Sequence, residues 1–306
     1  SSLRPPVTDD AISHRSSALA NWLLAVRPAT LTAAVAPVLV GAAAAGAEGE
    51  FRPLVFAATL AAALFIQAGA NMANDLFDFE RGADTNDRLG PPRVTQQGLI
   101  SPAQVRAATY LAFGAAAVIG LYLALVGGWP ILAIGVVSIT AGLAYTGGPW
   151  PLGYHGLGDV FVFIFFGLAA VLGTYYLQTD GVSAIAAAAA VPVGLTVTAI
   201  LVVNNLRDIE TDQRAGKRTL AVRLGDRATR WQYVLLMLGA YIALPGLVAA
   251  GAGAGVVLAA LSLPLAIGLC LSVLSGARGR DLNPVLKRTA RLHLVFGALL
   301  ALGLLL

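Results

Sequence analysis

Long apolar runs, broken at intervals by short polar or glycine-rich stretches, set the pattern of this chain. A helix that crosses a bilayer needs about 20 mostly apolar residues. Nine segments meet that length, at approximately 22–46, 54–78, 103–126, 129–147, 157–178, 184–206, 231–250, 255–275 and 287–306. The breaks fall at Glu48-Gly49-Glu50, 80–102, Gly127-Gly128, Gly147-Gly148-Pro149, Thr179-Asp180-Gly181, 207–230, 251–255 and 276–284. Strands of a membrane barrel are about 10 residues long and alternate in polarity. The runs Ala184 to Ala190 and Leu299 to Leu306 do not alternate, so the pattern predicts helices. The expected fold class is an all-α integral membrane protein with nine transmembrane helices. Residues 1–21 are polar, carry Pro5 and Pro6, and read as a soluble tail without a cleavable signal. Residues 22–306 then form a single transmembrane domain.

Composition narrows this picture. Apolar residues make up 58% of the chain and charged residues 12%, against roughly 25% charged in a soluble domain. So few charges exclude a soluble fold, and the high apolar content excludes disorder. Cys270 is the single cysteine, which excludes a disulfide scaffold. The net charge of +4 would suggest nucleic acid in a soluble chain. Here its placement explains it. With nine spans, the N-terminus and the loops after even-numbered spans lie on one side. That side, with its helix ends, carries every one of the 20 Lys and Arg except Arg52. The positive-inside rule predicts that it is cytoplasmic, and no nucleic-acid partner is expected.

Two loops are long and charge-rich, 79–102 and 207–230, and four helices separate them. Each begins with Asn and Asp on a helix end and continues into a Gly-basic stretch, Gly90 to Thr95 and Gly216 to Thr219. This predicts an internal four-helix repeat with a ninth helix added. Residues three or four apart share a helix face, so Asn71, Asp75 and Asp78 form one stripe, with Asn74 beside it and Asp84 beyond Gly82. Asn204, Asp208 and Asp212 form the second. Carboxylates at membrane depth are costly unless paired or hydrated. Two facing acidic clusters call for a cation between them, and hard oxygen ligands suit Mg²⁺, which bridges carboxylates to phosphates. Arg81, Arg88 and Arg93 follow the first stripe; Arg207, Arg214, Lys217 and Arg218 accompany the second. Cations beside such a site suit a diphosphate.

These stretches resemble the two aspartate-rich motifs of the UbiA superfamily of intramembrane aromatic prenyltransferases. The similarity lies in RPATLTAAVAPVLVG (27–41), NDLFDFERGADT (74–85), RLGPPRVTQQGLISP (88–102), YTGGPWPLGYHGLGD (145–159) and NNLRDIETDQRAGKRTLAVRLG (204–225). Within the superfamily the chain is most similar to the branch acting on 1,4-dihydroxy-2-naphthoate in menaquinone biosynthesis. It departs from the benzoate-type pattern, with Gly82 where a third Asp is usual and no Lys or Arg soon after Tyr145.

The resemblance implies a helix bundle around a central cavity open to the cytoplasm. It implies Mg²⁺-dependent prenyl transfer from an isoprenyl diphosphate to an aromatic acceptor, with the prenyl tail entering from membrane lipid. By resemblance, Asp75, Asp78, Asp84, Asp208 and Asp212 are assigned to Mg²⁺. Arg81, Arg93 and Lys217 are assigned to the diphosphate, with Asn71, Asn74 and Asn204 as further polar contacts. Arg27 and Tyr145 are candidates for substrate contact. Another acceptor, such as homogentisate, hydroxybenzoate or a specialised naphthol, is the alternative within the class. A secondary transporter is the alternative outside it. His155 reads as a loop residue, and His293 as an interfacial one on the last span.

Overall fold

A computed structural model describes residues 17–83 and 88–306, and these fold entirely into helices and their connections. The chain is an all-α integral membrane protein. The expected first span divides in two, α1 (Ala18–Val26) and α2 (Pro28–Ala47). Between them Arg27 takes a left-handed backbone, φ 56° and ψ 72°, a conformation uncommon for a side chain of this size. Pro28, which has no N–H to leave unsatisfied, then starts α2.

Next come α3 (Pro53–Glu80) and the 43-residue α4 (Pro102–Ala144). α4 is about twice the length of a span, and Gly128 divides it at φ 71° and ψ −162°, a region open essentially to glycine. The two arms fold back on each other and on α3. A Cβ on Gly142 of the second arm would lie 3.3 Å from the Phe113 ring of the first, and one on Gly69 of α3 would lie 3.1 Å from the same ring.

α5 (Gly158–Val162) runs through a π-helical turn, Phe163–Ala169, into α6 (Ala170–Thr179). α7 (Ala184–Arg207) follows, then the short α8 (Ile209–Arg214) and α9 (Leu220–Ala249). The stretch expected as one helix over 255–275 opens with a 3₁₀ segment, Ala254–Ser262, before α10 (Leu263–Leu274). α11 (Leu282–Leu304) ends the bundle.

Among the described residues, seven helical segments are long and apolar enough to cross a membrane. The unbroken helical assignment over α4 joins two of the nine expected spans, and the cations Lys287, Arg288 and Arg291 leave α11 outside the seven. α2 and α7 are the inner helices, with 61% and 67% of their most apolar window buried, against 17% for α4 on the periphery. Small residues let the inner helices approach closely. A Cβ on Gly41 of α2 would lie 2.4 Å from the Val171 carbonyl oxygen, and one on Gly167 would lie 2.6 Å from the Gly194 Cα. Phe296, Leu300 and Leu304 of α11 pack with Val40, Val193 and Leu244 in the main core. His293 corrects its expected interfacial place: it is fully buried, with Nδ1 2.9 Å from Thr196 Oγ1 on α7.

Candidate active site

α3 and α7 both end at one end of the bundle, where their following loops meet over a cavity of about 660 Å³. Asp78, in the last turn of α3, is its most heavily paired carboxylate. Tyr154 Oη donates to Asp78 Oδ1 at 2.6 Å, Lys217 Nζ donates to the same oxygen at 3.1 Å, and Arg93 Nη2 donates to Oδ2 at 2.9 Å. The ion pairs are buried, the Asp78 side chain being 3% exposed. Removing either partner of such a pair would leave an uncompensated buried charge. Lys217 comes from the loop after α8, 139 residues further along the chain. Its backbone N–H donates to the Asp212 carbonyl at 2.9 Å, across a turn that Gly216 makes at φ 73°. The next amide, Arg218 N–H, donates to the Tyr154 carbonyl at 2.8 Å and ties the two loops together.

Tyr154 sits in a short 3₁₀ turn, Leu152–His155. Two cations approach its ring, with Lys217 Nζ 4.6 Å and Arg81 Cζ 5.4 Å from the centroid, both within cation–π range. Burial and the neighbouring Asp78 raise the pKa of its phenol, so it stays a proton donor.

The second motif is organised by Arg207. Its Nε and Nη2 donate to the two oxygens of Asp208 at 2.8 and 2.5 Å, and Nη2 also donates to Asn204 Oδ1 at 2.9 Å. Asp212, one turn on along α8, faces the same cavity. Burial, opposed by Lys217 and reinforced by Asp208 and Asp78, pushes its carboxyl up to about 7.

Of the residues singled out in the sequence, Arg27, Asn71, Asn74, Asp78, Arg93, Tyr145, Asn204, Asp208, Asp212 and Lys217 all line this cavity. Asn71 also clamps the α1–α2 hinge, donating to the Val26 carbonyl at 2.8 Å and to Thr30 Oγ1 at 2.9 Å. Asn74 accepts from Thr146 Oγ1 at 2.7 Å.

Two of the expected residues lie elsewhere. Asp75 turns away from the cavity, and its two oxygens accept from the backbone N–H groups of Val94 and Thr95 at 3.1 and 3.2 Å. It anchors the loop that carries Arg93. Arg81 donates to the carbonyls of Thr146 and Gly148 and so pins the loop that carries Tyr154. Asp84 lies outside the described residues. Arg207, grouped in the sequence with diphosphate-binding cations, is spent on Asp208 and does not line the cavity.

Tyr154 is the partner of Asp78 that residue spacing missed. It lies within the similar block 145–159, but nothing local marks its hydroxyl as a partner of Asp78.

Beyond this charged end the cavity is mostly apolar, walled by Ile66, Leu123, Ile139, Phe165, Phe166 and Leu177, with Gln67 and Thr174 among the lining. The π-helical turn supplies Phe165 and Phe166, and such turns recur at functional sites. A polar end of both signs joined to an apolar body suits an amphiphile with an anionic head. Among the described residues, no three acidic, His or Cys side chains group closely enough to hold a metal by themselves. The oxygen donors here would share a cation with the ligand's own oxygens, as Mg²⁺ sites commonly do.

Residues 34–304 match the UbiA prenyltransferase family. Over 299 residues, 93% of this chain and 97% of the relative, the chain is 41% identical to the 1,4-dihydroxy-2-naphthoate octaprenyltransferase of Mycobacterium tuberculosis. It shares its fold with a UbiA homologue from Aeropyrum pernix K1 at a TM-score of 0.69 and 17% identity, over 90% of this chain and 97% of that one. A UbiA homologue from Archaeoglobus fulgidus, bound to GPP and Mg²⁺, is similar at a TM-score of 0.62 and 16% identity, over 92% and 99%.

Proposed function

The chain belongs to the UbiA prenyltransferase family, and from that premise we propose a specific reaction. A polyprenyl group passes from an allylic isoprenyl diphosphate to 1,4-dihydroxy-2-naphthoate. The C–O bond to diphosphate breaks, a C–C bond to the ring forms, and the ring carboxylate leaves as CO₂. The products are demethylmenaquinol and diphosphate. The observation that carries this reading is the 41% identity to a naphthoate octaprenyltransferase over nearly the full length of both chains.

The site's residues fit Mg²⁺ by their chemistry. Asp78, Asp208 and Asp212 converge on one cavity, and crowding with burial holds Asp212 near a pKa of 7, a repulsion that a divalent cation would relieve. These three, with Asn71, Asn74 and Asn204, are the candidates that would share a divalent cation with the diphosphate's own oxygens. When bound, Mg²⁺ supplies positive charge that stabilises the departing diphosphate. Lys217 and Arg93, already at the cavity's charged end, stabilise the same charge through hydrogen bonds. Tyr154 fixes Asp78, and Asp75 fixes the loop that presents Arg93. Phe165, Phe166 and Tyr145 line the cavity, whose apolar part would shield an allylic cation from water. Arg27, at the rim of α2, is assigned to the acceptor or head group.

The proposal extends to topology. α4 read as two spans about Gly128, with α11 counted as a span, makes nine. The N-terminus and the motif loops then lie in the cytoplasm of a bacterial inner membrane, as the cation distribution favours. The tail expected over 1–21 overlaps α1 from Ala18, so the single membrane domain expected over 22–306 begins at α1. The ends of α3 and α7 at one cavity support equivalent places in a four-helix repeat.

The test is to incubate membranes holding the protein with 1,4-dihydroxy-2-naphthoate and a series of prenyl diphosphates, and to weigh the products. A decarboxylated prenyl-naphthoquinol is expected. Transfer to another aromatic acceptor without it would overturn the choice of acceptor, and flux without pyrophosphate release would overturn the enzyme.

A further inference from the structure

One buried guanidinium links elements that the reaction needs in register. Arg207 is the last residue of α7, and its side chain is 1% exposed. Three of its N–H groups are committed to Asp208 and Asn204, both on the cavity wall. Its Nη1 donates to Asn283 Oδ1 at 2.9 Å. Asn283 stands at the start of α11, and its Nδ2 donates to the Leu89 carbonyl at 2.9 Å. Leu89 belongs to the segment between the first motif and Arg93 and itself lines the cavity. The next residue is Gly90, where a Cβ would lie 2.8 Å from Arg207 Nη2. The guanidinium therefore occupies the space that a side chain at position 90 would need.

An asparagine near a helix start ordinarily caps its own helix. Asn283 does not: the cap position is Asp281, no side-chain cap bond is made there, and both polar ends of Asn283 reach other elements.

We infer that Asn283 is a positioning residue for the metal–diphosphate site. By holding Arg207 with its oxygen and the Leu89 carbonyl with its amide, it fixes Asp208 against the loop of the first motif. Each motif is thereby registered to the other through α11, which contributes no carboxylate to the cavity. The inference deepens the proposed function and rests on it. Residues that orient a metal ligand without touching the metal change metal affinity by roughly 10–100-fold when removed. Asn283→Leu keeps the shape and deletes both hydrogen bonds.

The experiment titrates Mn²⁺ and inorganic pyrophosphate into full-length detergent-purified protein, reading bound Mn²⁺ by electron paramagnetic resonance and pyrophosphate by calorimetry. N283L should weaken both by about tenfold, with thermal melting checked in parallel. In turnover, the half-saturating Mg²⁺ should rise by a similar factor, with a smaller fall in kcat. R207K, which cannot grip Asp208 and Asn283 together, should show the same shift. The N283L/R207K double variant should add little to either single change, because one unit has been broken. Wild-type affinity in N283L, or additive losses in the double variant, would overturn the inference. If N283L does not fold, N283S is read by the same criteria. Wild-type protein that binds neither Mn²⁺ nor pyrophosphate would overturn the proposed function and this inference with it, whereas wild-type binding that N283L matches removes this inference alone.

Discussion

Tyr154 and Asp75 show how neighbouring polar groups divide the work. The Tyr154 hydroxyl donates to Asp78, and its ring meets both Lys217 and Arg81. Tyr154→Phe removes only the hydroxyl. A hydrogen bond to a charged group contributes about 1.5–3 kcal/mol, so kcat/KM for the prenyl diphosphate should fall by roughly one to two powers of ten. Initial rates at limiting diphosphate read this, and an unchanged value would remove the role. Asp78→Ala and Asp208→Ala should abolish transfer in protein that still elutes as a folded species. Asp75→Ala should act differently. It leaves the amides of Val94 and Thr95 without their acceptor, at a cost of about 1–3 kcal/mol each. Its signature is a lowered melting temperature. Spacing put Asn71, Asp75 and Asp78 on one face of α3, because a helix face follows from sequence alone. The second expected stripe is broken at Asp208 (φ −100°, ψ 9°) between α7 and α8, and its members meet only at the cavity. Spacing could not separate Asp75 from Asp78. That difference depends on where residues 93–95 pass, and nothing local to α3 encodes it. Arg207 misled for the same reason: a cation beside an aspartate motif suits a diphosphate as well as the aspartate itself.

At the level of elements, apolar runs located the helices well, since burial in lipid is written directly into composition. Gly127-Gly128 marked the turn inside α4 for a physical reason that the backbone makes plain. Gly128→Ala forces a Cβ into a region nearly closed to it, at about 1–3 kcal/mol. The variant should melt earlier in detergent while retaining the activity of its folded fraction; an unaltered melting temperature would show that the turn tolerates another conformation. The division at Arg27 was invisible, because a left-handed arginine leaves no periodic signal. The π-helical turn was invisible too. Its wider ladder leaves the apolar character of Phe163–Ala169 unchanged. The 3₁₀ opening of Ala254–Ser262 is equally silent in composition.

For the whole molecule, among the described residues, three acids (Asp78, Asp208, Asp212) and four cations (Arg27, Arg88, Arg93, Lys217) of a charge-poor chain line one cavity. Transfer should stop when a chelator strips divalent cations and return on adding Mg²⁺, with the helical circular dichroism unchanged throughout. Persistent turnover in the chelator would remove the metal from the reading. The resting arrangement of Asp78 also bears on which lipids this cavity will accept. Its carboxylate is paired with Lys217 and Arg93, so both cations that would receive an anionic head group already hold a counter-ion. An anionic head group would compete with Asp78 for these two cations, and Asp78 would then be available to help hold a divalent cation. A prenyl alcohol of the same tail brings no charge to trade. It should therefore fail to compete with the diphosphate, however well its hydrocarbon fits.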